Sequence, residues 1–391
     1  MTPGVTIAIV GAGPAGVSTA LHLAHYAPHL RQRLLVIDKA VFPRDKICAG
    51  AVAGRADRLL ARIGVHIEVP SAVVHGLRAL SRAGSMQRVA PYPIGRVVQR
   101  RAFDAALAAQ LSRRHIRCWF GAPLHHFEVR PDHILLHTGR GRVRAAALVG
   151  ADGVGSVVRR GLALPRRQLY AQAVEVDTPW LPADAPPNVL TFDLLNRDEP
   201  GYAWDFPTVV HQKSMVRRGL YRLTRANAVP PPPAGLPLAQ QLRRRLRRQG
   251  FNPDDLQLRQ YAERGLPLHA PLSRERVLLV GDAAGVDPVL GEGIAQAIFY
   301  GEAAARYLAR VITKKDYRFG DYRSFMARQR IGLDLRLRAA ALPLVYGRTR
   351  PRIERWIQRS AALSDVGLAY FAGRRISRAK AARAAMAWLV C

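Results

Sequence analysis

The glycine-rich segment at residues 11–16 constrains the fold of this chain more than any other feature. Its sequence, GAGPAG, follows a short apolar run at 5–10 and precedes a helical pattern that continues to about Tyr26. A second apolar run, at 34–37, ends at Asp38. This order of strand, glycine turn, helix and strand predicts one βαβ unit with parallel strands.

The spacing of the glycines in this turn indicates a dinucleotide site. The first glycine permits a tight turn, the second lets the backbone approach a pyrophosphate, and the third lets the helix pack on the strand. The helix N-terminus offers free N–H groups and a partial positive charge to the same anion. An acid at the end of the second strand accepts hydrogen bonds from ribose hydroxyls. We therefore predict that the adenosine half is bound by Gly11, Gly13, Pro14, Ala15, Gly16, Asp38 and Lys39.

Two later segments favour FAD over NAD. Residues 150–156 and 280–294 each follow a buried apolar run, so both lie at the carboxyl end of a predicted strand. An acid at Asp282 suits a ribitol chain, and a helix that begins near Gly293 presents N–H groups where a reduced flavin carries negative charge. A nicotinamide has no comparable need for a helix N-terminus beside its ring. These segments add the following residues to the predicted FAD site: Asp152, Gly281, Asp282, Gly291, Gly293 and Ile294.

A change in the pattern of apolar and polar residues after about position 166 predicts a second domain. Between about 166 and 265, short apolar and aromatic runs are separated by Pro, Asn, Asp and Gly, which is typical of an antiparallel sheet. A proline tract at 230–233 and a basic helix near 243–248 follow. We predict an α/β fold: a Rossmann-like FAD-binding domain with an inserted antiparallel-sheet substrate domain and a helical C-terminus. The predicted boundaries are 1–75, 96–165 and 270–320 for the FAD-binding domain, 76–95 and 166–269 for the substrate domain, and 321–391 for the basic C-terminal region.

The charge balance narrows the class of partners. Sixty Lys and Arg against 28 Asp and Glu give a formal net charge of +32, which attracts anionic lipid surfaces, unless it reflects only an arginine-rich composition. Without a nucleic-acid fold signal, we expect no nucleic-acid partner. The basic region 321–391 and its apolar end at 385–390 could form an interfacial helix, or could close over the substrate cavity.

The expected location follows from what the sequence lacks. The N-terminus has no basic leader typical of a signal peptide, and no stretch approaches the ~20 apolar residues of a membrane span. We expect a cytoplasmic protein, either free or peripheral at the inner face of a membrane.

Cysteines and histidines give no indication of a metal. Cys48, Cys118 and Cys391 are too few and too scattered for a disulfide framework or a metal site, which indicates a reducing compartment. His125 and His126 are adjacent, so on a strand they point to opposite faces, and we identify no Cys, Asp or Glu partner at ligand spacing. We predict no bound metal.

The three motifs, taken in this order, resemble those of the large FAD family that includes aromatic hydroxylases, flavin-dependent halogenases and geranylgeranyl reductases. The resemblance extends over nearly the whole chain, from the glycine turn to 280–294. The segment RRAFD at 100–104 is similar to the family's R-x-x-F-D segment. In that family the arginine lies near the cofactor, which implies the same position for Arg100.

Two further segments are similar to the geranylgeranyl reductase branch. FPRDKICAG at 42–50 resembles the stretch F-P-R-x-K-x-C-G-G beside the flavin, and GYAWDFP at 201–207 resembles the cavity motif G-Y-x-W-x-F-P. The resemblance implies that the flavin is bordered by Arg44, Lys46, Cys48, Ala49 and Gly50, with Cys48 and Lys46 as candidate catalytic residues. It also implies an apolar substrate cavity lined by Tyr202, Trp204, Phe206 and Pro288.

Each of these roles has an ordinary structural alternative. Cys48 could be a small buried hydrophobe, Lys46 a surface ion-pair partner, and the three alternating aromatic residues plain core. The chain also departs from the branch at two positions. Ala49 replaces a glycine, which could narrow the approach to the flavin, and Thr208 stands where a lysine often contacts a charged substrate end.

The leading functional prediction is an FAD-dependent oxidoreductase of the reductase or dehydrogenase type. It would transfer hydride between flavin N5 and an apolar, prenyl- or lipid-like substrate. The sequence has no second dinucleotide fingerprint, so the electron donor stays open between NAD(P)H that binds transiently, ferredoxin and a partner reductase. Two alternatives stay open: a monooxygenase or halogenase that uses a C4a-hydroperoxide, and a non-catalytic flavin-binding protein with a basic interaction surface.

Overall fold

The βαβ unit at the N-terminus is present in the computed structural model, which describes residues 4–164, 169–196, 199–225, 236–266, 270–287 and 289–387. Strand β1 (Val5–Val10) leads through the glycine turn into helix α1 (Pro14–Tyr26), and strand β2 (Leu34–Ile37) then pairs with β1 in parallel. All four residues of β2 are buried. Such continuous apolar strands are typical of a parallel sheet covered on both faces.

The first sheet has eight strands and contains this unit. Its central order is β17-β18-β11-β1-β2-β8, and β10 and β9 extend it from one end of β11. The pairs among β18, β11, β1, β2 and β8 are parallel, so their carboxyl ends meet at one edge of the sheet. The segments 11–16, 150–156 and 280–294 leave from that edge, which is where α/β sheets bind ligands. The additional strands are β8 (Arg117–Trp119), β9 (Leu124–Val129), β10 (Ile134–Thr138), β11 (Gly141–Gly150), β17 (Ser273–Arg274) and β18 (Val277–Leu279).

The second sheet has seven strands in the order β16-β12-β15-β14-β13-β5-β6. The four apolar runs between 171 and 223 form neighbouring antiparallel strands, as predicted. One pair differs from a purely antiparallel sheet: β13 pairs in parallel with β5, because β5 comes from an earlier part of the chain and no hairpin joins the two. The strands are β5 (Gly76–Ser81), β6 (Gly84–Val89), β12 (Leu169–Thr178), β13 (Val189–Asp193), β14 (Gly201–Val210), β15 (Lys213–Arg225) and β16 (Arg259–Arg264).

Within the described ranges, a small third sheet and ten further helices complete the α/β fold. The third sheet pairs β3 (Ala51–Ala53) and β4 (Ser71–Val74) with β7 (Gly95–Val98), all antiparallel. The helices are α2 (Gly54–Ala61), α3 (Arg100–Arg113), α4 (Val157–Gly161), α5 (Leu238–Arg248), α6 (Gly293–Thr313), α7 (Tyr322–Arg328), α8 (Arg330–Tyr346), α9 (Arg350–Arg359), α10 (Ala361–Ala372) and α11 (Arg378–Met386). Short 3₁₀ turns lie at Pro28–Arg33, Pro253–Asp255 and Gly281–Ala283. The exact domain boundaries stay a prediction.

The basic helix predicted near 243–248 is α5, and it is amphipathic. Leu238, Leu242 and Leu246 follow one another at four-residue spacing and are buried in a cluster with Val174 and Val176 of β12. This face fixes the helix on the second sheet. Most of its arginines lie on the other faces. The basic residues at 243–248 therefore form the outer side of a helix that packs on the sheet.

Three of the sequence predictions concern residues that lie outside the described ranges. These are Pro288, the proline tract at 230–233 and positions 388–390 of the apolar end segment. Among the described helices, none combines the length and the apolar character needed to cross a membrane.

A buried ion network fastens the C-terminal helices to the loop before α6. Arg338 of α8 donates to Asp287 and, at 2.8 Å, to Glu292, and it also contacts Asp334 and the Tyr370 hydroxyl. The Asp287 carboxylate has no exposed surface, and Arg338 is 12% exposed. Removing one partner from such a network leaves an uncompensated buried charge.

We expect the substitution R338M to lower the free energy of unfolding by about 3–5 kcal/mol, because it removes the cation paired with the buried Asp287 carboxylate, whereas Glu292 retains Arg55. Chemical denaturation monitored by tryptophan fluorescence measures this change. The matched control is R336M on the same helix, where the arginine is exposed and the change should stay within about 0.5 kcal/mol. Equal effects of the two substitutions would contradict the importance of the network.

Candidate functional site

The glycine turn is held in place by Asp38, the acid that ends β2. Its carboxylate accepts hydrogen bonds from the backbone N–H of Ala12 at 2.6 Å and of Ala40 at 2.8 Å. Each oxygen retains a lone pair for a further donor such as a ribose hydroxyl. Asp38 therefore joins the turn to the second strand and is placed where the predicted adenosine contact requires it.

The turn leaves space and free donors for a pyrophosphate. A Cβ added to Gly13 would meet only the Arg44 guanidinium, at 3.7 Å, whereas a Cβ on Gly16 would lie 1.8 Å from the Gly11 carbonyl oxygen. Within the described chain, no side chain caps the start of α1 and no acid lies in its first turn. Gly13 thus borders an open cradle lined by helix N–H groups, which fits the pyrophosphate of FAD.

Arg44 and Arg100 meet at one buried acid beside this cradle. Arg100 donates to both oxygens of Asp104 at 2.8 Å, and Arg44 lies 3.1 Å from the same carboxylate. Burial raises the pKa of Asp104, but the two arginines outweigh it and hold that pKa below its usual value. The motif R-x-x-F-D therefore fixes the position of Arg44 over the glycine turn, and both arginines lie on the predicted cofactor side.

Asp152 and Asp282 occupy the predicted edge but have different neighbours. The Asp152 carboxylate accepts from the N–H groups of Val157 at 2.6 Å and Val158 at 3.1 Å, so it caps α4. Both of these bonds go to Oδ2, and Oδ1 accepts from the Ser156 hydroxyl. The predicted contact of Asp152 with FAD stays a prediction. Asp282 lies 3.4 Å from the Lys46 ammonium, which is 41% exposed. This ion pair matches the ordinary alternative stated for Lys46.

The loop before α6 is shaped by another carboxylate, Asp287. It accepts from the N–H groups of Val289, Leu290 and Glu292 at 2.7, 3.2 and 3.4 Å. Gly291 follows with a φ of +65°, a left-handed conformation that favours glycine. The loop therefore places Gly293 and Ile294 at the start of α6. Their contact with the flavin stays a prediction.

An apolar cavity connects the two loops predicted to border the flavin. It has a volume of about 90 Å³ and is lined at one end by residues 48–53 and at the other by residues 290–294. Its walls come mainly from the second and third sheets and from α10. The side chains that line these walls include Val74, Leu77, Ile94, Leu190, Phe192, Tyr202, Trp204, Phe206, Tyr221, Tyr261 and Phe371.

The aromatic residues of β14 line this cavity together. Tyr202, Trp204 and Phe206 share one face of the strand, and Phe192 of β13 contacts two of them, with ring centroids 5.4 Å from Tyr202 and 5.2 Å from Phe206. Trp204 is 2% exposed and Phe206 is 5% exposed. They are thus both packed core and cavity wall, so the two interpretations of this motif are compatible. The predicted contribution of Pro288 lies outside the described residues.

Cys48 lies in the cavity wall beside Ala49 and Gly50. Burial raises the pKa of its thiol, while Arg100 nearby acts in the opposite direction with a smaller effect. The thiol is therefore protonated near neutral pH and is not an activated nucleophile. Its candidate catalytic role stays a prediction.

A buried arginine of the second sheet holds this loop, and the sequence did not reveal it. Arg217 donates to the Cys48 carbonyl at 3.1 Å and to Gln99 at 3.0 Å, and its charge is balanced by Asp177 at 2.7 Å. Gln99 in turn donates to the Thr208 hydroxyl at 3.1 Å. Thr208, noted above as a departure, is thereby a buried structural residue, and an arginine at a strand position gives no sequence signal for such a role.

Glu263 is a second residue that the sequence analysis missed. It lies on β16 and lines the cavity near Gly291. Burial raises the pKa of Glu263 well above its usual value. The only available signal was its alternation with Tyr261, which places the two side chains on one face of the strand.

The histidine argument needs a correction, although the expectation of no metal stays a prediction. Glu128 lies two residues after His126 on the same strand face, and His137 is directly opposite on β10, so an acidic partner does lie at ligand spacing. The rings of His126 and His137 stack, with centroids 4.0 Å apart and planes 15° apart. An ion in the plane of one ring therefore lies out of the plane of the other, and Glu128 also pairs with Arg130.

Comparisons with known proteins agree with this geometry. A family model described as FAD binding domain matches residues 4–319. Menaquinone reductase of Mycobacterium tuberculosis is 30% identical over 330 residues, which cover 77% of this chain and 76% of that protein. Digeranylgeranylglycerophospholipid reductase of Thermoplasma acidophilum is 24% identical over 338 residues, covering 80% of this chain and 79% of that protein.

A solved structure shows the same fold over almost the full length. A geranylgeranyl bacteriochlorophyll reductase-like protein from Thermoplasma acidophilum aligns with a TM-score of 0.67 and 19% identity, covering 98% of this chain and 95% of that chain. The chain belongs to the FAD-binding-domain family of flavoproteins. It is an FAD-dependent oxidoreductase, and its resemblance to the geranylgeranyl reductase-like branch is confirmed.

We expect G13A to fold normally but to lose FAD, because the added methyl group enters the pyrophosphate cradle and meets no protein atom closer than 3.7 Å. The FAD dissociation constant should rise at least about 10-fold, which corresponds to about 1.4 kcal/mol. Fluorescence titration of the apoprotein measures it, and the apoprotein melting temperature should be unchanged. G4A, whose Cβ meets nothing within 4 Å, is the control. Unchanged FAD binding by G13A would contradict this placement.

Proposed function

We propose that this protein is a reductase of an isoprenoid lipid, such as a quinone with an isoprenoid tail. The observation that carries the proposal is the apolar, aromatic-walled cavity between the 48–53 and 290–294 loops. Ligand pockets with few polar groups suit apolar molecules. The relatives named above act on menaquinone and on a digeranylgeranyl lipid according to their names, and both of these molecules carry isoprenoid chains.

Some residues of the chain would hold the cofactor, and others would shield the reaction from water. The glycine turn and Asp38 would hold the ADP half, and the start of α6 would face the flavin ring. Reduced FAD supplies a hydride when bound. The aromatic wall of β14 would orient the substrate and exclude water from the reacting atoms. NAD(P)H or an electron-donor protein would reduce the flavin, since the sequence has no second dinucleotide fingerprint.

The test is anaerobic reoxidation of the dithionite-reduced holoenzyme. We expect a short-chain menaquinone to restore the oxidised flavin absorbance in a 1:1 ratio without oxygen, since both carry two electrons. Menadione, a quinone ring without the tail, and geranylgeraniol, a tail without the ring, identify which part reacts. A long-lived flavin adduct and an oxygenated product after admission of oxygen would instead establish a monooxygenase.

We further propose that the C-terminal helices rest on an anionic membrane surface, from which an isoprenoid lipid would enter. Leu333, Leu337 and Leu344 of α8 are 55%, 62% and 47% exposed. Their spacing of four and seven residues places them on one side of the helix. Arg330 and Arg348 near the two ends of this stripe are also exposed. Exposed leucines flanked by arginines suit an interfacial helix on anionic lipid.

We expect the double substitution L333D/L337D to abolish co-sedimentation with vesicles of phosphatidylglycerol and phosphatidylcholine, because it puts two carboxylates at the lipid surface. V129D is the matched control, since Val129 is 46% exposed but lies on β9 of the first sheet. Wild-type binding should weaken as salt is added. Binding that survives in the double variant would exclude α8 as the docking element.

A further inference from the structure

Glu263 places a carboxyl group at the end of the cavity that faces the loop before α6. A Cβ built on Gly291 would lie 2.9 Å from Glu263 Oε2, and one on Gly293 would lie 3.8 Å from Oε1. The carboxyl group therefore lies against the backbone that leads into α6, where the flavin ring is expected. Tyr261, two residues earlier on β16, lines the same cavity. Glu263 is thus accessible to both the cofactor site and the substrate site.

The surroundings of this carboxyl group favour its neutral form. Oε2 is buried and has no hydrogen-bond partner within the described ranges. Burial is the largest influence on its pKa and raises it well above the usual value. Asp282 and Asp287 raise that pKa further, whereas Lys46 and Arg100 lower it without reversing the direction. An isolated ionised carboxylate is costly in such a site, so the group retains its proton.

The other protic groups of the cavity are weaker acids or are already engaged. The Tyr202 hydroxyl donates to the Leu290 carbonyl, and outside the lining the Tyr346 hydroxyl donates to the Val289 carbonyl at 2.7 Å. Burial raises the pKa of Tyr221 and Tyr261 well above 10, and it also raises that of the Cys48 thiol. A carboxylic acid gives up its proton more readily than a phenol or a thiol in the same environment.

We propose that Glu263 is the general acid of the reaction, an inference that rests on the reductase function proposed above. Reduction of a quinone or an alkene adds a hydride to one atom and a proton to a second atom. The hydride brings both electrons and comes from the reduced flavin. The Glu263 O–H bond breaks as the new O–H or C–H bond of the product forms. The resulting carboxylate is protonated again from solvent, and in a dehydrogenation the same carboxylate accepts the proton.

A stability measurement tests the neutral state of Glu263 without any turnover. In the unfolded chain Glu263 releases its proton near its usual pKa of about 4.5, whereas in the folded state it retains the proton to a higher pH. The free energy of unfolding of the wild type therefore falls as the pH rises from about 4.5 to the pKa of the folded state. E263Q has no such proton, so its melting temperature should exceed that of the wild type by an amount that grows from pH 5 to pH 8. E68Q, which removes an exposed carboxylate, should show no such growth. A pH-independent difference for E263Q would overturn the inference.

Half-reactions of the holoenzyme test the proton transfer itself. We expect reduction by dithionite to be unchanged in E263Q, whereas anaerobic reoxidation by the short-chain menaquinone should slow at least about 100-fold. E263D should recover part of the rate, and E68Q should match the wild type. The wild-type rate should fall as Glu263 ionises at high pH, and this limb should be absent in E263Q.

The outcomes separate the two proposals. If E263Q is reoxidised at the wild-type rate, the general-acid role is wrong and the reductase function stands. If menaquinone, menadione and geranylgeraniol all fail to reoxidise the wild-type flavin without oxygen, the reductase function fails and the general-acid role fails with it.

Discussion

The contact between the turn at Gly11 and the end of β11 is the constraint on which the rest of the site depends. Gly11 has a φ of +107°, and a Cβ there would lie 2.2 Å from the Ala151 carbonyl oxygen. Two of the three predicted cofactor segments are therefore in direct backbone contact. The third segment follows β18, which pairs in parallel with β11. The tight turn and the pairing of β11 with β18 thus set the relative positions of these three segments.

Buried arginines then connect this edge to the rest of the chain. Arg217 of the second sheet holds the backbone of the 48–50 loop, and Arg338 of α8 holds the carboxylates of the loop before α6. Arg55 donates to Glu292 at 2.6 Å from a third direction. These arginines are paired with carboxylates, so the buried network adds no net positive charge, and the formal excess of +32 is carried by the other basic residues.

The parts of the site that depend on residues close together in the sequence were predictable, and the parts that depend on residues far apart were not. The geometry of the glycine turn and of Asp38 was predictable because a βαβ unit of this kind needs fixed residues at fixed local spacing. The aromatic face of β14 was predictable because alternation along one strand determines its direction. Glu263 and Arg217 were not, since each acts on a residue far away in the chain. The argument that the histidines have no acidic partner was wrong for the same reason, because His126 meets His137 only after β9 and β10 pair.

The departure at Thr208 bears on which isoprenoid lipid fits the cavity. In the resembling branch a lysine at this position could contact a charged substrate end. Here the side chain is 1% exposed and its hydroxyl is occupied by Gln99. The nearby Arg217 is committed to Asp177 and to the Cys48 carbonyl. Of these two described residues, neither Thr208 nor Arg217 therefore offers a free cation to an anionic headgroup. Arg96 lines the cavity and is itself paired with Asp57 at 2.9 Å. Under the function proposed above, an uncharged quinone head would therefore suit the cavity better than a phosphate, because a buried anion needs a paired cation.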